Sequence, residues 1–326
     1  MTVPATLDIR PSSLSPDAAA LLGRLVLIVL IAGALTAVDP GFASVSNLLN
    51  MLRQASLLFL VASGLTLVII GGGLDLSVGA NLTLSACLAA AAIKTTGNPW
   101  YGVAVAIGAG TLIGFANGLM INRLRLPPFL ATFGMLWVAQ GIAYWFMAGQ
   151  TIYGMPMSFR YFGTGFFLGV PLPIWITLVV CLACSTLLHR TTFGREAYFM
   201  GANQTAALLS GVPVERRRLL LYVLSGLTAG IAALVYLARL NAAEPGIGEP
   251  LLLPAIAAVL VGGTSLFGGS GNIVGTVLGA ILLTIIVNGL NLLNVAATWH
   301  PFVNGAVVLI AILADLALSR RRPGSS

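Results

Sequence analysis

The string LLFLVASGLTLVII, residues 57–70, runs without interruption into GGGLDLSVG, residues 71–79. The first string is uncharged. Extended back to Leu52 it approaches the 20 or so apolar residues that a helix needs to cross a hydrocarbon core of about 30 Å. The second string stops it. Gly71, Gly72 and Gly73 permit a tight reversal or a broken helix. Asp75 or Ser77 then offers a side-chain oxygen to the free N–H groups of a following helix. Irregular backbone between two apolar runs is tolerated at membrane depth where it is buried in protein or lines a cavity. Two roles therefore stand for Asp75, a helix cap and a gate on a translocation path, and they are compatible.

The rest of the chain agrees with a lipid solvent. Of 326 residues 58% are hydrophobic and 8% charged, against about 25% charged in a soluble domain. The mean hydropathy of +0.99 leaves too little polar surface to cover a globule of this size. The net charge of +7 is no sign of nucleic-acid binding, because the arginines cluster between apolar segments. Cys87, Cys181 and Cys184 lie inside apolar runs and read as small hydrophobes, not as metal or redox groups. No cleavable signal peptide is expected, and the first apolar run reads as a retained span.

Apolar runs predict ten spans, near 22–38, 52–70, 75–93, 100–121, 128–148, 168–188, 219–238, 251–267, 272–293 and 300–318. The fold class is thus all-α, a polytopic transmembrane helix bundle. With both termini cytoplasmic, the inner side holds Arg10, Arg24, Arg123, Arg125, Arg190, Arg195, Arg216, Arg217, Arg218, Arg320, Arg321 and Arg322. The outer side holds only Arg53, Lys94, Arg160 and Arg239, as the positive-inside rule requires. The expected organisation is a tail over 1–20, one transmembrane domain over 21–319 and a tail over 320–326. The longest inner loop is 189–218, and the outer loop 149–167 is expected to lie on the membrane surface.

Several chemistries lack their residues. A P-loop needs a lysine, and the single lysine, Lys94, sits at a membrane edge with no glycine-rich loop before it. Ion-coupled carriers use ionisable groups at depth. Asp75 is the one acid expected well inside a span; Asp39, Glu244 and Glu249 fall in outer loops and Asp315 near the inner end of the last span. His189 and His300 have no nucleophile or paired carboxylate in a hydrolytic pattern. The chain is not expected to be an enzyme, and no metal or cofactor is expected.

Gly72-Gly73-Leu74-Asp75-Leu76-Ser77-Val78-Gly79 closely resembles the G-G-I-D-L-S-V-G signature of permeases in the ribose, xylose and galactose group of binding-protein-dependent ABC importers. The resemblance continues through Asn117-Gly118, Pro128-Phe129-Leu130-Ala131-Thr132, Thr192-Phe193-Gly194-Arg195, Gly201-Ala202-Asn203, Ala206-Ala207 and Ser210-Gly211-Val212. It ends at Ile256-Ala257-Ala258-Val259, Gly262-Gly263-Thr264-Ser265-Leu266 and Gly268-Gly269, in the family's order from about residue 50 to 318. One block departs. Where the family often has E-L-D-A-I-A, this chain has Leu252-Leu253-Pro254-Ala255-Ile256-Ala257, without either acid.

The resemblance implies that loop 189–218 carries a coupling helix that inserts into a cytoplasmic ATP-binding subunit. Its residues suit that role. Gly194 and Gly201 punctuate it, Gln204–Ser210 reads as a short helix, and Gly211 and Pro213 stop it. Arg195, Ala202, Asn203, Ala206, Ala207 and Arg216–Arg218 are the expected partner contacts. Glycines at 110, 114 and 118, and at 271, 275 and 279, mark close helix packing. A sugar path needs neutral hydrogen-bonding groups and aromatic faces. Candidates are Asn81, Thr83, Asn117, Thr132, Phe133, Trp137, Gln140, Tyr144, Asn288, Asn291 and Asn294, with interhelical hydrogen bonding as their alternative role. With Gly72, Gly73, Asp75 and Ser77, the residues Trp137, Gln140, Asn288 and Asn291 form the expected gate and path.

The expected function is the membrane subunit of an ATP-driven importer for a small polar solute such as a monosaccharide, working by alternating access in a bacterial inner membrane. Expected partners are the ATP-binding subunit, a periplasmic solute-binding protein, a second permease copy or homologue, and membrane lipid. The rival reading is an ion-coupled secondary carrier for a sugar or polyol.

Overall fold

The computed structural model describes residues 16–303, 305–307, 309–310 and 313. Among the described residues the helices with both ends defined are, in chain order, α1 Pro16–Val38, α2 Val45–Ile70, α3 Val78–Thr96, α4 Pro99–Arg123, α5 Pro128–Met147, α6 Met157–Thr164, α7 Leu172–Arg190, α8 Thr192–Ala202, α9 Gln204–Leu209, α10 Val214–Leu240, α11 Leu252–Val261 and α12 Ile273–Leu292, and a further helical stretch begins at His300. Two minimal antiparallel ribbons complete it. Ile152–Tyr153 pairs with Ala242–Ala243, and Phe166–Phe167 with Val170–Pro171.

Local chemistry sets the helix ends. The Ser44 hydroxyl accepts from the Asn47 N–H to start α2, Asn98 from Trp100 to start α4, and Asn272 from Val274 to start α12. Gly97 and Asn241, both left-handed, close α3 and α10.

The most buried spans are α2 and α3, followed by α10 and α12. Neither α1 nor α7 is covered to that degree, as expected of helices facing lipid. Glycine lets α4 approach α10. A Cβ on Gly110 would lie 2.8 Å from the Gly230 Cα, and one on Gly118 would lie 3.0 Å from the Leu219 Cα. The second glycine stripe packs too: Gly275 and Gly279 of α12 lie against the backbone of Gly262 and Ala258, and Gly271 lies against Thr264. Van der Waals packing of this kind replaces the hydrophobic effect between helices in lipid.

The bundle is polytopic, but its span pattern differs from the sequence reading. Among the described residues eight helices are long and apolar enough to cross a membrane: α1 to α5, α7, α10 and α12. The predicted span 251–267 is instead the 10-residue α11, stopped at Gly262. At 1.5 Å per residue it reaches about 15 Å, half of the hydrocarbon core. Uniform apolarity across Leu252–Val261 hid the break that Gly262 and Gly263 impose, the latter at φ 82°. The predicted span 75–93 begins later, at Val78, and 168–188 begins at Leu172 after the second ribbon. Of the predicted span 300–318, residues 300–303, 305–307, 309–310 and 313 are described and are helical; its remaining residues, like Arg10 and Arg320–Arg322, fall outside the described residues.

The cations separate by end. Arg125 and Arg218 line one groove with Gln204 of α9, and Arg217 pairs with Glu196 of α8. At the opposite end Lys94 approaches Gly154, Arg239 adjoins Gly163 and Arg53 covers the Phe166 ring. The first of these is called the arginine-rich end below.

Candidate functional site

Between α2 and α3 the chain turns back into the bundle. Gly72, at φ 78°, makes the reversal, and Asp75 becomes completely buried. Its Oδ1 accepts from the Ser77 N–H at 3.0 Å and the Ser77 hydroxyl at 2.7 Å, and its Oδ2 accepts from the Ser225 hydroxyl of α10 at 2.8 Å. Asn117 of α4 donates to the Ser77 oxygen at 2.8 Å. One residue earlier, the Leu74 carbonyl accepts from Tyr222 at 3.1 Å and Thr132 at 3.2 Å. The break is thus tied by hydrogen bonds to α4, α5 and α10. Asp75 caps the turn ahead of α3; Ser77, the residue before the helix, makes no capping bond of its own.

A second break meets the first. The segment entering α11 brings Gly248 against Gly79, and the Gly248 N–H donates to the Thr83 hydroxyl at 2.9 Å. A Cβ on Gly79 would lie 2.6 Å from the Gly248 oxygen. Two irregular stretches therefore share one interior level, each satisfying polar groups of the bundle.

At the arginine-rich end, α8 and α9 run across the helix ends. The Thr191 and Asn203 side chains cap them. Gly194 presses on the Leu188 backbone, where a side chain has no room. Gly201 presses likewise on the Ile70 carbonyl at the end of α2. The Gly269 N–H donates to that same Ile70 oxygen at 2.9 Å, and a Cβ on Gly268 would lie 2.8 Å from the Gly72 Cα. Gly72, Gly201, Gly268 and Gly269 thus join three segments by backbone contact: α8, the Asp75 turn and the link from α11 to α12. Arg217 crosses from α10 to pair with Glu196 and covers the Phe193 ring.

The short helix expected at Gln204 is present as α9, with its outward face different from the one expected. Ala207 is fully buried, so its small size serves packing within the chain. Leu208 and Leu209 are exposed, Leu209 at 85%, with Phe199 of α8 nearby in sequence at 40%. Arg195, Ala202, Asn203 and Gly211 are exposed; Gly194 is buried and Ala206 half-buried. Arg217 is engaged within the chain rather than turned to a partner.

The expected path residues divide. Trp137 is 62% exposed on α5, beside exposed Phe133 at a ring-centroid distance of 6.3 Å. Gln140, three residues on, is buried, and neither its Oε1 nor its Nε2 finds a partner among the described residues. Asn288 is buried in a reciprocal pair with Asn47 at 2.9–3.0 Å, the interhelical role. Asn291 is exposed. The sequence reading missed Asn47, Tyr222 and Ser225. Their signal was a polar group within a long helix, the same signal that marked Asn117.

Comparison with known proteins fits this architecture. Residues 47–312 match the family described as branched-chain amino acid transport system / permease component. The chain belongs to this permease family. The permease is 40% identical over 296 residues to a ribose import permease protein of Bacillus subtilis (strain 168), covering 90% of this chain and 91% of that one. It is 34% identical over 299 residues to a D-allose transport system permease protein of Escherichia coli (strain K12), covering 91% and 90%. An autoinducer 2 import system permease protein of Klebsiella pneumoniae is 36% identical over 288 residues, covering 88% and 84%. No solved structure matches. The permease is a multi-pass membrane protein and a transporter subunit of an ABC importer.

Proposed function

We propose that this permease moves a monosaccharide or similar small polyol inward across a bacterial inner membrane, driven by a separate cytoplasmic ATP-binding subunit. The observation that carries the mechanism is the glycine junction at Gly201. It puts α8 in backbone contact with the Asp75 turn and with the link from α11 to α12, and so gives a partner's motion a stiff route to the centre of the bundle. Small shifts are passed on because packed backbone has no rotamers to absorb them.

In this reading the arginine-rich end is cytoplasmic, as the positive-inside rule favours. The ATP-binding subunit seats Leu208 and Leu209 of α9. The adjoining groove of about 400 Å³, which holds Arg125, Glu215 and Arg218, gives that seat a charged wall. A periplasmic solute-binding protein delivers the solute at the opposite end, and a second copy or homologue closes the path against exposed faces such as that of Trp137 on α5. The Asp75 turn, with Gly72, Gly73 and Ser77, is the gate element: its hydrogen bonds to α4, α5 and α10 break or shift together. Gln140 and Asn291 contact solute in one of the two states. The ribose, allose and autoinducer 2 relatives support a sugar-like solute.

The test is uptake in proteoliposomes holding the permease, its ATP-binding subunit and its solute-binding protein. Accumulation against a gradient is expected only with all three and ATP. Uphill uptake by the permease alone, abolished by a protonophore, sinks the proposal in favour of an ion-coupled carrier.

A further inference from the structure

After α10 the chain pairs through Ala242–Ala243 at the end opposite the arginine-rich one, then dips back between the helices. The dip reads EPGIGEPL, residues 244–251. Its Gly248 N–H donates to Thr83, thirteen residues before α3 ends at Thr96. At 1.5 Å per residue that contact lies about 20 Å in from the end of α3, well inside a hydrocarbon core of about 30 Å. Glu249 follows directly. The sequence alone places it in an outer loop; the dip carries it to membrane depth.

Glu249 is exposed there, and its side chain meets α5. The Tyr144 hydroxyl lies 3.2 Å, and the Glu249 Oε1 3.8 Å, from the point where a Cβ on Gly246 would stand. Gly246, at φ 103°, leaves that space open. Gln140 precedes Tyr144 by one turn on the same face of α5, and helical side chains lean toward the N-terminus, so Tyr144 leans toward Gln140. Three polar side chains converge, and all are unpaired. Neither the Glu249 carboxylate nor the Tyr144 hydroxyl makes a hydrogen bond or ion pair among the described residues. The Gln140 amide is buried and has no partner among them either.

An acid at this depth does not face lipid; it faces a water-filled cavity or protein. Unpaired polar groups carry a desolvation cost that a bound polar molecule removes. The chemistry of the three groups narrows that molecule. A carboxylate offers two acceptor oxygens, an amide both donates and accepts, and a phenol does either. Two neighbouring hydroxyls of one solute match the two carboxylate oxygens. We propose that Glu249, Tyr144 and Gln140 form a hydroxyl-binding subsite on the solute path, in which Glu249 accepts from two adjacent hydroxyls and so selects solutes that carry such a pair. This selection rests on the inward transport of a polyol proposed above.

Two measurements test it. In the full-length permease in liposomes, Glu249→Cys is treated with a thiol reagent that does not cross membranes, applied at the end opposite the arginine-rich one. Labelling above that of the unaltered chain, with its natural Cys87, Cys181 and Cys184, is expected. No excess labelling places residue 249 away from water and overturns the proposal. In the full assembly, uptake of D-ribose is compared with that of 2-deoxy-D-ribose, which lacks one hydroxyl of an adjacent pair. The preference for D-ribose is expected to narrow at least about tenfold in Glu249→Gln. The binding protein contributes equally to both assemblies, so a change in the ratio belongs to the permease. Glu249→Gln should melt with the unaltered chain, since no partner is lost. An unchanged ratio overturns the subsite and leaves the transport reading standing. No ATP-driven accumulation of either sugar by the unaltered assembly strikes the transport reading, and the subsite with it.

Discussion

Ser225 donates to the Asp75 carboxylate across 150 residues of sequence at 2.8 Å, and both side chains are completely buried. The bond joins the break after α2 to the middle of α10. Asp75 serves two further donors, both on Ser77. Asp75→Ala therefore strands three buried donors, at about 1–3 kcal/mol each when unmet. The expected result is a loss of several degrees in melting temperature, or failure to accumulate in the membrane. Ser225→Ala removes one donor, and the predicted cost is about 1–2 kcal/mol. Melting curves of the two variants check the order; a Ser225→Ala loss larger than that of Asp75→Ala contradicts the hub.

The glycine junction makes a different prediction. Alanine at Gly201 forces α8 away from the Ile70 carbonyl, whereas alanine at Gly108 of α4 meets nothing within 4 Å. In the assembled transporter Gly201→Ala is expected to cut uptake at least about tenfold, a change of about 1.4 kcal/mol in barrier. ATP hydrolysis should persist, so the ratio of solute moved to ATP consumed falls. Gly108→Ala should leave that ratio unchanged. Parallel loss of both activities in Gly201→Ala would point to misassembly instead of uncoupling.

Much of this was legible in order of range. Composition and apolar runs predict a helical bundle because lipid leaves the backbone few alternatives. The break at Gly71–Gly73 is visible because glycine and an acid interrupt an apolar run. The break at Gly262–Gly263 was not, since α11 is as apolar as a full span and only its length in space differs. Contacts between distant segments were out of reach. Nothing local to Gly201 names Ile70 as its neighbour, and nothing local to Asn288 names Asn47. The facing of α9 was also hidden, because a 6-residue helix offers too few residues to separate Ala207 from Leu209 by periodicity.

Leu209 is 85% exposed on the short helix α9, beside Leu208 at 52%. Apolar anchors of this kind dominate interfaces when they fill a partner's pocket. Leu209→Asp is expected to weaken binding of the ATP-binding subunit about 10- to 100-fold, with the melting temperature of the isolated permease unchanged. Co-purification at graded concentrations gives the affinity. Unaltered affinity would move the docking surface away from α9.

Gln140 offers the sharpest separation of stability from transport. It is 3% exposed on α5, and both its amide oxygen and its amide nitrogen lack partners among the described residues. A buried amide in that condition costs about 1–3 kcal/mol relative to an apolar group of the same shape. A residue held at that cost is explained if its amide is used in another state, when the path opens and solute or water reaches α5. Gln140→Met keeps the volume and removes the unmet groups. The permease should then melt a few degrees higher. Uptake in the full assembly should fall, with the apparent affinity for solute weakened more than the maximal rate. A variant that is stabilised and transports normally would leave Gln140 without a role on the path. A destabilised variant would show instead that the amide has partners in the resting bundle.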